Sequence, residues 1–167
     1  MKRLILIGGT MGVGKTATAR ELGELLPRNV MLDGNWCWQA KPFVVTDETR
    51  AMVMDNITHL LGNFLRCGAY ENVIFCWVMH EQSILDELLA RLHLDGVKVH
   101  SFSLVCSEEA LQRRLSADID AGVRDADVLA RSLPRLALYA ALDTEKIDTT
   151  FLSADEAAQE IARRVME

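Results

Sequence analysis

The fold is decided near the start of the chain by the stretch Leu4-Ile5-Leu6-Ile7-Gly8-Gly9-Thr10-Met11-Gly12-Val13-Gly14-Lys15-Thr16. Its four consecutive aliphatic residues are too few for a helix and run into a glycine pair, which predicts a buried strand followed by a turn. From Gly9 the spacing is one glycine, four residues and then Gly14-Lys15-Thr16. This spacing is typical of a loop that binds phosphate groups.

The residue types in this loop suit a backbone that wraps around an anion. Its glycines permit positive φ angles and leave no Cβ in the way, so that successive N–H groups can point inward. We expect Lys15 to supply a positive charge and the Thr16 hydroxyl to bind Mg²⁺. Apolar residues at 19, 22, 25 and 26 predict a helix after the loop, whose N-terminus also favours an anion. The predicted nucleotide-phosphate-binding residues of this loop are Gly9, Thr10, Met11, Gly12, Val13, Gly14, Lys15, Thr16 and Ala17.

Length and composition limit the remaining possibilities. The 167 residues suit one domain, residues 1–167, and half of them are hydrophobic, which argues against disorder. A net charge of -6 argues against a nucleic-acid partner, and no apolar stretch reaches the 18 residues that a membrane span needs. The four cysteines, at 37, 67, 76 and 106, match no metal or redox spacing. We therefore expect a cytoplasmic protein with free thiols. We also expect either a monomer or a homodimer.

A second strand, Asn29 to Asp33, is predicted to end in a carboxylate. Residues just past the carboxyl ends of parallel strands line the binding site, so we expect Asp33 to face the γ-phosphate end of a nucleotide. Trp36 follows in a turn and could form part of the wall of a substrate pocket. Burial of this tryptophan in the core is an equally good interpretation.

A long helix is predicted from Thr46 to Arg66, and its apolar spacing places Arg50 on the inward stripe. An inward arginine is either paired structurally or directed at an anionic substrate. The apolar run from Val73 to Met79 predicts a central strand, with His80 at its carboxyl end and Trp77 within reach of the site. His80 is a candidate substrate ligand, although an ordinary surface histidine gives the same pattern.

Five arginines lie between residues 113 and 135, at 113, 114, 124, 131 and 135. One interpretation is a set of helix-surface ion pairs, since Asp118 follows Arg114 by four residues. We favour a mobile lid of about residues 116–127, with Gly122 at its tip, because phosphoryl transfer needs positive charge that water does not supply. Further helices are predicted at 128–142, interrupted by Pro134, and at 154–166, with a weak strand near Ile147.

With strands and helices alternating five times, the chain resembles the small P-loop kinases: adenylate-kinase-like nucleotide kinases, shikimate and gluconate kinases, and chloramphenicol phosphotransferase. The specific part of the resemblance is the run from Gly9 to Thr16. Its softer parts are Asp33 at the end of the second strand, the segment Leu111-x-x-Arg114 leading into an arginine-bearing lid, and Lys146-Ile147-Asp148.

The resemblance implies a three-layer α/β/α fold whose five-stranded parallel sheet has the order 2-3-1-4-5. It also implies ATP and Mg²⁺ as cofactors, with Arg114 against the adenine, Asp148 near the base and Arg124 as the lid arginine. Asp33 would receive the proton of a substrate hydroxyl or orient Mg²⁺. One feature departs from the wider P-loop pattern, because Met79-His80 stands where a Walker B strand would end in Asp.

Two functions remain open from the sequence. The first is a phosphotransferase that moves the γ-phosphoryl of ATP to a small-molecule acceptor, such as a nucleotide, a sugar acid or an antibiotic. Its catalytic residues would be Lys15, Asp33 and Arg124, and its substrate-binding residues would be Asp33, Trp36, Arg50, Trp77 and His80. The second is a nucleotide-binding sensor or switch without an acceptor.

Overall fold

The computed structural model describes all residues, 1–167, as a parallel sheet with helices on both faces. The strands are β1 (Lys2–Gly8), β2 (Asn29–Asp33), β3 (Asn72–Cys76), β4 (Val97–Val105) and β5 (Glu145–Asp148), in the order β2-β3-β1-β4-β5. The helices are α1 (Lys15–Leu25), α2 (Asp47–Arg66), α3 (Gln82–Ala90), α4 (Glu108–Asp120), α5 (Val128–Leu136) and α6 (Ala154–Met166). None of them is both long enough and apolar enough to cross a lipid bilayer.

The central strand β1 separates two hydrophobic cores. Leu4 and Leu6 face the core that contains α2 and α3, whereas Ile5 and Ile7 face the core that contains α1 and α6. All four side chains are fully buried, as expected for a parallel strand covered on both faces. The three-layer α/β/α fold and the sheet order predicted from the sequence are therefore confirmed.

Several local predictions agree closely with the structure. β2 has the predicted bounds, and α2 begins after Thr46, whose hydroxyl accepts from the Thr49 N–H in a capping box. Ser153 caps α6 in the same way, with Glu156 as its partner. These elements are specified by short-range patterns, namely a cap residue followed by an apolar stripe.

The prediction for β3 was wrong at its carboxyl end, because the strand stops at Cys76 and not at Met79. Met79 adopts a φ of 34° and is buried, so the chain turns sharply while its side chain remains in the core. The turn is held from the C-terminal part of the chain, where the buried Tyr139 hydroxyl donates to the Val78 carbonyl. The apolar run is therefore longer than the strand, because Met79 stays buried after the strand has ended.

The arginine-rich segment also differs from its predicted outline. α4 continues to Asp120, so the first residues of the predicted lid, 116–127, are helical and the connecting loop covers 121–127. Pro134 lies inside α5 and does not interrupt it, and a 3-10 turn at Ala137–Ala141 follows. Closure of this segment stays a prediction.

We predict that Tyr139→Phe destabilises the protein by about 1–3 kcal/mol, because the buried Val78 carbonyl then has no donor. Urea denaturation should measure this loss. Tyr70→Phe is the matched control, since Tyr70 is only half-buried and its hydroxyl donates no hydrogen bond within the protein. Equal stability of the two variants would contradict a structural role for the Tyr139 hydroxyl.

Candidate functional site

The carboxyl ends of three adjacent strands meet at one edge of the sheet. Cys76 at the end of β3 pairs in register with Asp33 of β2 on one side and Ile7 of β1 on the other. The glycine-rich loop leaves β1 at this edge and enters α1 at Lys15. Binding sites in parallel α/β folds form at this edge.

The glycine-rich loop has a backbone that only glycine fits at two points. Gly12 has a φ of 85°, and a Cβ there would lie 2.4 Å from Leu115 Cδ2. Gly9 has a φ of 156°, and its Cβ would lie 2.6 Å from Val13 Cγ1. The loop is therefore both wound into a left-handed conformation and packed tightly against its surroundings.

Lys15 brings a buried positive charge to the centre of the loop. Its side chain is folded back so that Nζ donates to the Thr10 carbonyl at 2.9 Å, and the residue is 9% exposed. Burial, together with a smaller contribution from the Arg124 guanidinium, lowers the pKa of Lys15 to about 8, against opposing contributions from Cys76 and Asp33. An anion in the loop would stabilise this desolvated ammonium group.

Asp33 and Thr16 form the second pair of the site. The Thr16 hydroxyl donates to Asp33 Oδ2 at 2.6 Å, and Asp33 Oδ1 accepts from the Asn35 N–H at 2.9 Å. Both oxygens that meet here are hard ligands of the kind that Mg²⁺ prefers, with phosphates and water completing its shell. The residues therefore fit a magnesium ion, although no cluster of three or more His, Cys, Asp or Glu residues is present.

Cys76 occupies the strand end that the sequence analysis assigned to Met79-His80. Burial, together with the neighbouring Asp33 carboxylate, raises the pKa of its thiol to about 12. The end of β3 therefore carries an uncharged group at neutral pH. The carboxylate nearest the loop comes from β2 instead.

A cavity of about 260 Å³ lies on the other side of the loop. Arg114 forms one wall, and its guanidinium donates to the Val13 carbonyl, the Thr149 hydroxyl and the Thr149 carbonyl. Asp148, in contrast, is exposed and accepts hydrogen bonds from Thr150. Thr149 therefore lines the cavity where Asp148 was predicted to do so.

Of the arginines at 124, 131 and 135, two form ion pairs and one does not. Arg124 Nε donates to Asp118 at 2.9 Å and remains close enough to Lys15 to lower its pKa. Arg131 pairs with Asp127 at 3.2 Å. Arg135 is half-buried and forms no ion pair, so it presents a free guanidinium on the same side of the fold as His80.

His80 is close enough to two arginines, Arg135 and Arg50, for their charges to affect it. Its Nδ1 atom is buried without a partner, and its Nε2 atom lies 3.4 Å from Glu81 Oε1. Burial lowers the pKa of His80, and Arg135 and Arg50 lower it further. The side chain of Arg50 is 68% exposed, and its Nη1 atom lies 4.0 Å from Asp47 Oδ1. The predicted inward orientation was therefore wrong. The first turn of α2 is exposed around most of its circumference, and Met52 is exposed as well.

The two candidate tryptophans are in different environments. Trp77 packs closely over Gly34, where a Cβ would lie 2.4 Å from Trp77 Cγ, and it therefore covers the residue next to Asp33. Trp36 is about half exposed and lines a separate groove of about 540 Å³ beside α2, together with His59 and Leu60. The two side chains do not line one common pocket.

Sequence reasoning missed three residues of the site. Arg135 belonged to the noted arginine cluster, but Thr149 and Ser132 carried no local signal. Ser132 is fully buried on α5 and hydrogen-bonds to Thr10 and Met11 of the loop. Only the packed fold brings these segments together.

We predict that stability rises with pH between about 8 and 10.5 because of Lys15. In this window the unfolded chain binds a proton that the folded chain does not, since the pKa of Lys15 is about 8 when folded and 10.5 otherwise. Over this window the contribution of Lys15 raises the free energy of unfolding by about 3 kcal/mol. Cys76 contributes in the opposite direction because its pKa is raised, so the measured quantity is the difference between wild type and Lys15→Met in urea denaturation at each pH. Exposed Lys41→Met is the control, and a difference equally large for that variant would contradict the assignment.

Residues 5–129 match the family model described as AAA domain. The tunicamycin resistance protein of Deinococcus radiodurans is similar in structure, with a TM-score of 0.75, 26% identity, and coverage of 99% of this chain and 96% of that one. A gluconokinase from Sinorhizobium meliloti has a TM-score of 0.66 at 17% identity, covering 97% and 94%. Shikimate kinase from Acinetobacter baumannii has a TM-score of 0.64 at 20% identity, covering 99% and 93%. No curated protein is significantly similar in sequence.

The resemblance to P-loop kinases predicted from Gly9 to Thr16 is therefore confirmed at the level of the fold. The matched region contains the loop, the Asp33 carboxylate, the end of β3 and the Arg124 segment. The chain belongs to the AAA domain family and has the fold of the P-loop kinases.

Proposed function

We propose that the protein is an ATP-dependent phosphotransferase that moves the γ-phosphoryl group of ATP to a small-molecule acceptor. The observation that carries this proposal is the buried Asp33 carboxylate, held 2.6 Å from the Thr16 hydroxyl beside Lys15. It offers a carboxylate at the point where the transferred group and the acceptor would meet. The name of the Deinococcus protein and those of the two kinases are consistent with chemistry on small molecules.

The nucleotide would lie across the glycine-rich loop. Its phosphates would replace the Thr10 carbonyl as the partner of Lys15, and its base would enter the 260 Å³ cavity beside Arg114 and Thr149. Thr16 would hold Mg²⁺, which supplies charge neutralisation of the phosphates when bound. Arg124 would add positive charge from the lid loop.

In this proposal Asp33 acts on the acceptor hydroxyl. Its Oδ1 atom is oriented by the Asn35 N–H and its Oδ2 atom by Thr16, so the carboxylate is fixed before the acceptor arrives. Such a group can orient a hydroxyl or accept its proton as the phosphoryl group is transferred. Catalysis would then consist mainly of positioning and charge neutralisation.

The charges on the acceptor side favour an anionic acceptor. Arg135 has no carboxylate partner, Arg50 has only a 4.0 Å contact with Asp47, and His80 Nδ1 is buried without a partner. A carboxylate or phosphate on the acceptor would satisfy these donors together. Sugar acids and nucleotides carry such groups.

We expect Lys15→Ala and Asp33→Asn to separate the two roles. Lys15→Ala should weaken ATP binding and abolish turnover, because Lys15 contacts the phosphates at every stage. Asp33→Asn should leave ATP binding largely intact and lower kcat by about 10²- to 10⁴-fold, the usual range for a general base. Isothermal titration calorimetry with a non-hydrolysable ATP analogue measures the binding, and steady-state kinetics measure the turnover. Near-full activity of Asp33→Asn would exclude a catalytic carboxylate at this position.

We also expect Arg135→Gln to raise the KM for the acceptor about 10- to 100-fold without changing the KM for ATP, since a charge-assisted hydrogen bond is lost. The acceptor is found first by ATP consumption over a panel of nucleotides, sugar acids, shikimate, tunicamycin, aminoglycosides and phenicols. Arg131→Gln is the matched control, because Arg131 is exposed and paired with Asp127. An equal rise for both variants would show a general electrostatic effect.

The alternative is a nucleotide sensor without an acceptor. A sensor needs the loop and the base cavity but does not need unpaired polar groups such as the Arg135 guanidinium and His80 Nδ1. ATP binding without ATP consumption over the whole panel would favour the sensor.

A further inference from the structure

The helix that follows the lid loop is fastened directly to the glycine-rich loop. Ser132 Oγ donates to the Met11 carbonyl at 2.6 Å, across 121 residues of sequence. The Thr10 hydroxyl donates to the Ser132 carbonyl at 2.9 Å and lies 2.8 Å from Ser132 Oγ. Ser132 is completely buried and Thr10 nearly so, which protects these hydrogen bonds from water. We call the contacts among Thr10, Met11 and Ser132 the Ser132 clasp.

The clasp fixes the direction of one peptide group in the loop. The peptide bond between Met11 and Gly12 is trans, so its carbonyl and its N–H point in opposite directions. When Ser132 holds the Met11 carbonyl towards α5, the Gly12 N–H is turned away from α5. That N–H makes no hydrogen bond within the protein. A free N–H in a glycine-rich loop is the kind of donor that binds a phosphate oxygen.

The clasp also acts on Lys15 through Thr10. The Thr10 carbonyl accepts from Lys15 Nζ at 2.9 Å, while the Thr10 hydroxyl is bonded to α5. The residue that holds the lysine is therefore itself held by Ser132. Loss of the clasp would free both the Met11–Gly12 peptide and the resting position of Lys15.

We propose that Ser132 is a positioning residue for nucleotide binding, whose hydroxyl holds the Thr10–Gly12 backbone in the conformation that receives the phosphates. The proposal rests on the nucleotide-binding half of the proposed function, and it is independent of the acceptor and of phosphoryl transfer. Ser132 does not contact the nucleotide. It acts through the loop.

Packing of α5 is the competing explanation for the burial of Ser132. Val128 on α5 is buried against Leu111 and Leu115 of α4, and Leu133 packs at the edge of the same cluster. If Ser132 served only to pack α5, any weakening of this cluster would affect the loop equally. Leu133→Ala tests that explanation, because it removes apolar contact and no hydrogen bond to the loop.

The experiment is isothermal titration calorimetry of the 167-residue chain with a non-hydrolysable ATP analogue. Ser132→Ala should weaken binding about tenfold, the scale of one or two lost hydrogen bonds. Thr10→Val should weaken it as well, and Thr10→Ser should bind more tightly than Thr10→Val because it keeps the hydroxyl. The double variant Thr10→Val/Ser132→Ala should be no weaker than the poorer single variant, since both changes open the same contact. Leu133→Ala should lower the melting temperature and leave the Kd unchanged.

Unchanged affinity in Ser132→Ala, or an equal loss in Leu133→Ala, would overturn the positioning role. Should Ser132→Ala fail to fold, the comparison of Thr10→Ser with Thr10→Val decides the question, and equal affinities there would also overturn it. A folded wild type that binds no analogue would overturn the proposed nucleotide binding, and with it this inference. That outcome is distinct, because it appears before any substitution is made.

Discussion

The desolvated ammonium group of Lys15 is the constraint on which the rest of the site depends. A charge that is nine-tenths buried needs acceptors around it, and the structure provides the Thr10 carbonyl and the nearby Asp33 carboxylate. The Thr10 carbonyl is available because the loop is tightly wound at Gly9 and Gly12. The carboxylate is near because β3 brings the end of β2 to the same edge of the sheet. An anionic ligand would complete this arrangement.

The parts of the fold that depend on local patterns could be predicted from the sequence. The aliphatic run before Gly8, the glycine spacing and the cap residues Thr46 and Ser153 each act over a few residues, and each predicted its element correctly. The end of β3 could not be predicted in this way. Met79 is as apolar as a strand residue and is equally buried, but its backbone has turned to a positive φ, a change that hydrophobicity does not encode.

The same distinction applies to the candidate site. Asp33 follows from a general rule about parallel strands, and the loop follows from its spacing. Arg135 belongs to the arginine cluster that the sequence shows, but its position beside His80 depends on packing between distant segments. Thr149 reaches Arg114 in the same way and has no local sequence signal. Arg50 shows the limit of helical periodicity, which gives a direction around the helix axis but cannot say whether another element lies in that direction.

The bond between Met11 and Ser132 also has a consequence for biosynthesis. One peptide group of the glycine-rich loop is fixed by a serine that is synthesised 121 residues after it. On a ribosome the N-terminal strand and its loop therefore emerge long before their final partner. Contacts of this sequence separation form late and slow folding. The phosphate-binding surface is therefore complete only after α5 has been synthesised and has packed against the loop.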